Sequence, residues 1–229
     1  MTDKLRVTLE IGPKGKRVVA VAPDWPGLER GAKTEDAAIA RLQTYLPRYA
    51  PVATLAGMGA PFAAIATPTT TVDVVERYPG TGSTDFWGIS FAFSRIDGQA
   101  FSSEELERDL TLLQACWAFF DAVRSRVSAE MQKGPRGGGR DRDRIVRHTL
   151  NTELDWALKL GVRTPEDGLL TDEGLRAHRD AYRAAIRAFH TQGKPARTWP
   201  LRYLIRHTAF HTLDHAWEME DKDMTATHA

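Results

Sequence analysis

Only one cysteine, Cys116, occurs in the 229 residues, so no disulfide can form within the chain and metal sites built on several thiolates are excluded. Its setting, Leu112-Leu113-Gln114-Ala115-Cys116-Trp117-Ala118-Phe119-Phe120, is that of a small core residue. No charge of one sign dominates either. Lys and Arg number 31 against 30 Asp and Glu, a net charge of +1, which leaves no global attraction to nucleic acid or to an anionic surface. Long apolar runs are missing: none approaches the roughly 18 residues of a membrane-spanning helix. The first residues, Met1-Thr2-Asp3-Lys4-Leu5-Arg6, lack the apolar core of a signal peptide. A hydrophobic content of 42% is that of a globular protein, and with no spanning run, no signal peptide and a single cysteine the expectation is a cytoplasmic protein with no membrane contact.

Two kinds of periodicity divide the chain, and together they predict an α+β protein. Residues 1–95 alternate in strand fashion over 5–11, 17–22, 70–77 and 87–93, around one helical stretch that opens at Thr34-Glu35-Asp36 and ends before Pro47. This predicts a small β-sheet domain with one covering helix. Residues 50–71, rich in Ala, Gly, Pro and Thr, read as an irregular connection. From residue 102 the period is helical. Breakers delimit four helices, over about 102–131, 141–160, 171–190 and 199–221, which predict a four-helix bundle over 102–222 and a flexible tail over 223–229.

The last helix carries Arg206-His207-Thr208-Ala209-Phe210-His211-Thr212-Leu213-Asp214-His215-Ala216-Trp217-Glu218, with three of the seven histidines four residues apart. Residues at that spacing stack on one helix face, so His211 and His215 can offer two imidazoles to one divalent ion. His207 stands about 12 Å along the axis from His215, which places it beside the site or at its mouth rather than among the ligands. The third ligand predicted is His148, on the second helix in Asp143-Arg144-Ile145-Val146-Arg147-His148, because bundle metal sites form between facing helices. Asp214 and Glu218 are positioned to orient an imidazole, to ligate, or to pair with Arg147 or Arg202. His178 and His190 read as surface residues of the third helix, and His228 belongs to the tail.

This order of residues, DRDRIVRHTL on the second helix followed by RYLIRHTAFHTLDHAWEMED on the fourth, resembles the DinB-like (YfiT-like) four-helix-bundle superfamily over about residues 102–222. The resemblance implies His148, His211 and His215 as ligands of a divalent metal (Zn, Ni or Fe). It also implies a thiol-dependent activity, using mycothiol or a related low-molecular-weight thiol, and a homodimer. Residues 5–50, through VVAVAPDWPG and GAKTEDAAIARL, are similar to HicB-type antitoxin domains, a likeness that brings no catalytic motif.

The expected activity is therefore that of a metal-dependent enzyme acting on a small-molecule substrate or thiol: an S-transferase, an isomerase or a hydrolase. Arg147 and Arg206 flank the ligands and are the candidates for holding an acidic thiol or substrate; Trp156, Trp199 and Trp217 are candidate pocket walls. The alternative is a non-enzymatic binding module with a structural or sensory metal, its HicB-like domain serving protein interaction. Nucleic acid is the weakest partner, since the basic stretch 133–147 is interrupted by Asp141 and Asp143.

Overall fold

The computed structural model describes residues 4–67, 70–134 and 139–225. It is an α+β protein in which a four-stranded mixed sheet is followed by helices. The chain divides into two compact units, Met1–Cys116 with Ile205–Phe210, and Trp117–Leu204 with His211–Ala229. No helix among the described residues is long and apolar enough to cross a membrane.

In the first unit the strands β1 (Leu5–Ile11), β2 (Val18–Val21), β3 (Glu29–Ala32) and β4 (Val72–Pro79) lie in the order β3-β2-β1-β4. β2 is antiparallel to both of its neighbours, and β4 runs parallel to β1. A parallel pair needs a long crossover, which here passes through β2 and β3 and then α1 (Glu35–Thr44), α2 (Leu46–Leu55) and α3 (Gly59–Ile65). Thr34 caps α1 by accepting from the Ala37 N–H at 3.2 Å. Leu5, Val7 and Leu9 alternate into one buried face of β1, and α1 adds Ala38 and Leu42 to the core. Trp25, Tyr49 and Phe62 pack edge-on or tilted at 4.7 to 6.1 Å between centroids. Cys116 is buried there, and burial raises its thiol pKa.

Three expectations for this unit need correction. Much of 50–71 is helical rather than irregular, with 68–69 outside the described residues: Pro47 occupies the first turn of α2, Pro51 forgoes only a bond to the Pro47 carbonyl, and the Ala-rich stretch completes α2 to Leu55 and forms α3 over Gly59–Ile65. Strand β3 was not expected, because Glu29-Arg30-Gly31-Ala32 has no apolar alternation. The strand predicted over 87–93 is absent. α4 (Gly82–Trp87) replaces its start, and the following amides donate to side chains instead of a ladder.

Those side chains form a buried polar network. Glu10 accepts from the N–H groups of Phe91 (2.9 Å) and Ala92 (3.1 Å) and from the hydroxyls of Ser90 and Thr84. Glu29 accepts from the Ser90 N–H at 3.2 Å. Arg206, 4% exposed, grips Asp97 with Nε and Nη2 at 2.7 and 2.8 Å, and also donates to Glu29, Ser90 Oγ and the Ala92 carbonyl. All five guanidinium donors are thus used. The expectation that Arg206 holds an acidic thiol is not met, because the side chain is enclosed and spent on its own unit.

In the second unit α6 (Arg142–Ala157), capped by Asp141, packs Leu150 with Leu169 and Leu175, the latter from α7 (Asp172–Thr191). The other two long helices, α5 (Ser103–Arg126) and α8 (Leu201–Asp221), are divided between the units, Ser103–Cys116 and Ile205–Phe210 belonging to the first, and each lies within a few residues of its predicted position. Arg179 of α7 binds Glu153 of α6 (3.0 Å) and Asp121 of α5 (2.7 Å). His178 is not a surface residue: it is 2% exposed, bonded through Nδ1 to the Thr164 hydroxyl at 2.9 Å, and burial pushes its pKa down to about 4. Of the predicted tail, residues 226–229, which include His228, lie outside the described residues, whereas Asp223 accepts from the Ser128 N–H at 2.9 Å.

The network predicts an alkaline loss of stability. Burial pushes the Glu29 carboxyl up to about 8, against the pull of Arg206, so the folded state holds a proton that the unfolded chain releases. The stabilisation is complete below the usual carboxylate range and is lost as pH rises towards 8, a change of a few kcal/mol at most at about 1.4 kcal/mol per unit. Urea unfolding from pH 5 to 9 should show this decline in the parent and a flatter profile in Glu29→Gln. Parallel profiles would contradict it.

Candidate metal centre

Two helices present the three imidazoles. On α8 the four-residue spacing sets His211 and His215 one above the other, their ring centroids 4.5 Å apart. α6 brings His148 opposite them, at 5.1 Å from His211 and 4.9 Å from His215. One nitrogen from each ring falls within 4.8 Å of the others. The Nε2 atoms of His148 and His211 are 3.3 Å apart. Two nitrogens on one tetrahedral zinc at about 2.0–2.1 Å are separated by roughly 3.3–3.4 Å, so this pair already has the spacing that an ion requires. Among the described residues no other group of His, Cys, Asp and Glu comes together in this way.

Glu218 orients the site. One turn beyond His215, its Oε2 lies 2.8 Å from His215 Nδ1, which assigns a proton to Nδ1 and leaves Nε2 for a metal. Arg140 Nη2 and Lys222 Nζ donate to the same carboxylate at 2.8 and 2.6 Å. Burial raises the pKa of Glu218, but the bonds from His215 and Lys222 and the Arg140 charge outweigh it and hold the carboxyl at about 2. Burial, followed by the neighbouring His215 and Arg140, lowers the pKa of His148, favouring the neutral form that ligates.

Exposure is graded across the three rings: His215 is buried, His211 half-buried and His148 exposed. The site therefore opens on the side of His148, and Arg147 is exposed next to it in the sequence of α6. Trp156 stands edge-on to His211 at 5.2 Å and is followed by Trp199 at 6.0 Å, over whose face Lys159 Nζ lies at 4.2 Å. A surface groove of about 600 Å³ runs along α6 from Asn151, past Asp155 and Leu158, to Arg163 and Thr164.

The structure thus brings together His148, His211 and His215, with Trp156 and Trp199 beside them. It does not bring in His207, which is buried against Phe91 at 5.7 Å in the first unit and whose pKa burial pushes down to about 3. Trp217 is a core residue, 1% exposed. The carboxylate partner expected from Arg147 or Arg202 is Arg140, which sequence reasoning missed. Lys222, also missed, was legible as the i+4 partner of Glu218. Arg136 of the basic stretch lies outside the described residues. Comparison with protein-family models, with curated proteins and with solved structures gives no match.

Because Glu218 fixes the tautomer of a ligand, Glu218→Gln should lower affinity for Zn²⁺ by about 10–100-fold without unfolding the chain. His215→Ala should lower it further. Competition against a chromophoric chelator at neutral pH measures both, and an unchanged affinity in Glu218→Gln would remove the orienting role.

Proposed function

We propose that this chain is a divalent-metal-dependent enzyme in which His148, His211 and His215 hold the ion and a low-molecular-weight thiol or water is the group activated. The observation that carries the reading is the convergence of three imidazole nitrogens, two of them 3.3 Å apart, with the most buried ring held by a carboxylate. Three protein ligands leave a position open for exchange, as catalytic centres do, whereas structural zinc sites close with four. The residue order on α6 and α8, similar to that of DinB-like proteins, supports the same ligand set and favours a thiol of the mycothiol type. Zn, Ni and Fe all suit an imidazole donor set.

A divalent ion bound here would supply Lewis acidity, lowering the pKa of a ligated thiol or water so that a nucleophile forms at neutral pH. The chain's own residues set the conditions. Glu218 keeps His215 in the ligating tautomer. Trp156 shields one side of His211 from water. Arg147, exposed beside His148, is placed to pair with a carboxylate of the incoming thiol or substrate. Arg206 takes no part, and a thiol S-transferase or isomerase is the activity favoured.

The test is elemental mass spectrometry on untagged protein, with the triple variant His148→Ala, His211→Ala, His215→Ala for comparison, followed by Co²⁺ loading. Near-stoichiometric metal in the parent alone, together with a thiolate-to-cobalt absorption band on adding a small thiol, is the expected result. A parent that stays empty after exposure to Zn, Ni and Fe defeats the reading. Metal without any spectral response to thiols defeats its thiol component.

A further inference from the structure

Two of the largest apolar side chains in the first unit are turned outward. Phe86 and Trp87, at the end of α4, are 72% and 64% exposed and pack against each other edge-to-face at 4.6 Å. Such an adjacent pair is not the scattered single hydrophobe that surfaces tolerate. The residue before them, Asp85, fixes what lies alongside. Its carboxylate accepts the backbone N–H groups of Lys14 (2.7 Å), Lys16 (2.8 Å) and Arg17 (3.2 Å), drawing the β1–β2 turn onto α4. A side chain at Gly12 would meet that carboxylate at 2.1 Å, so the turn closes only over glycine. Asp85 is thereby saturated by amides, while the side chains of Lys14 and Lys16 are exposed and that of Arg17 is half-exposed. Lys33 follows Ala32, the register partner of Val18, but Glu35 and Asp36 stand two and three residues after it, so it is not counted with the three.

We infer that the Phe86–Trp87 pair and the Lys14-Lys16-Arg17 turn form a docking surface for an anionic lipid bilayer. Charge complementarity and shape carry the choice. A substituent at Gly15 or Gly82 would meet nothing within 4 Å, so the turn and the start of α4 both face open space. The surface therefore projects outward, unlike the basic groove that tracks a single-stranded nucleic acid. Two of its three cations are lysines, compact charges on flexible stems that suit a fluid layer of headgroups, whereas lysine is depleted at protein–protein interfaces. Trp and Phe are the side chains that settle at the headgroup level, their apolar bodies inward. Such contact is peripheral and reversible and needs no spanning helix.

The full chain should co-float with vesicles of phosphatidylcholine containing roughly one-third phosphatidylserine and should not co-float with phosphatidylcholine alone. Lys14→Glu with Lys16→Glu should weaken this by at least roughly 25-fold, at about fivefold for each cation lost. Phe86→Ser with Trp87→Ser should weaken it at least as much. All four side chains are exposed, so the urea midpoints should stay at the parent value, and the charge variants read the surface independently of the aromatic ones. No retention on anionic vesicles overturns the inference, as does equal retention by parent and variants. So does binding of a single-stranded oligonucleotide or an acidic peptide through these residues while vesicles are ignored.

Discussion

One buried guanidinium has to serve several carboxylates, and the architecture of the first unit follows from how it does so. Glu10, Glu29 and Asp97 are all buried, and Arg206 can neutralise only one of them fully. Asp97 receives the bidentate grip, and although burial raises its pKa, Arg206 and Ser94 outweigh that and hold it below the usual range. Glu10 is satisfied by neutral donors, two hydroxyls and two amides. Glu29, left with one amide and a share of Arg206, is the group that burial pushes towards its protonated form. A buried charge without partners costs several kcal/mol, and this demand fixes the path of residues 90–97. Their amides are committed to carboxylates, so no further strand can form there.

The imidazole site in the second unit solves a milder version of the same problem. Glu218 has two cations besides His215, and it stays charged because Arg140 and Lys222 supply what burial removes. The carboxylate is then strong enough to fix His215 without leaving a large negative field at the site. Affinity for an ion must come from the nitrogens themselves, a donor set that discriminates by geometry and ligand type rather than by charge. The exposure gradient from His215 to His148 gives the site a closed and an open end.

Most of the elements were legible where side-chain period and capping agree. Thr34, Asp141 and Thr171 cap helices at the positions expected, and the i, i+4 rule placed His211 and His215 together. What escaped was whatever depends on a distant polar partner. β3 is a strand because Glu29 and Arg30 find buried partners, which no local alternation reveals. Arg206 sits in a helix rich in charged residues, and nothing local distinguishes a solvated arginine from one enclosed by Asp97 and Glu29. His178 could have been found, since Leu175, His178, Tyr182 and Ile186 mark one buried stripe at helical spacing. Arg140 could not, because it follows a breaker-rich stretch outside any helix and lies 78 residues from Glu218 in the chain.

The three candidate ligands also come from far apart, His148 and His211 being 63 residues distant along the chain. An ion held by both α6 and α8 therefore closes a long loop, and an unfolded chain cannot reproduce that arrangement. Whatever free energy the ion gives to the site it gives equally to the folded state, about 4 kcal/mol when free metal exceeds the dissociation constant a thousandfold. Polar ties already hold these helices without metal: Arg179 to Glu153 and Asp121, and His178 to Thr164, join α5, α6, α7 and the segment before α7. Arg126 of α5 pairs with Glu220 of α8, and Arg140, just before α6, with Glu218 of α8. Bound metal would add to these a bond from α6 itself to the helix that carries two of the three candidate ligands.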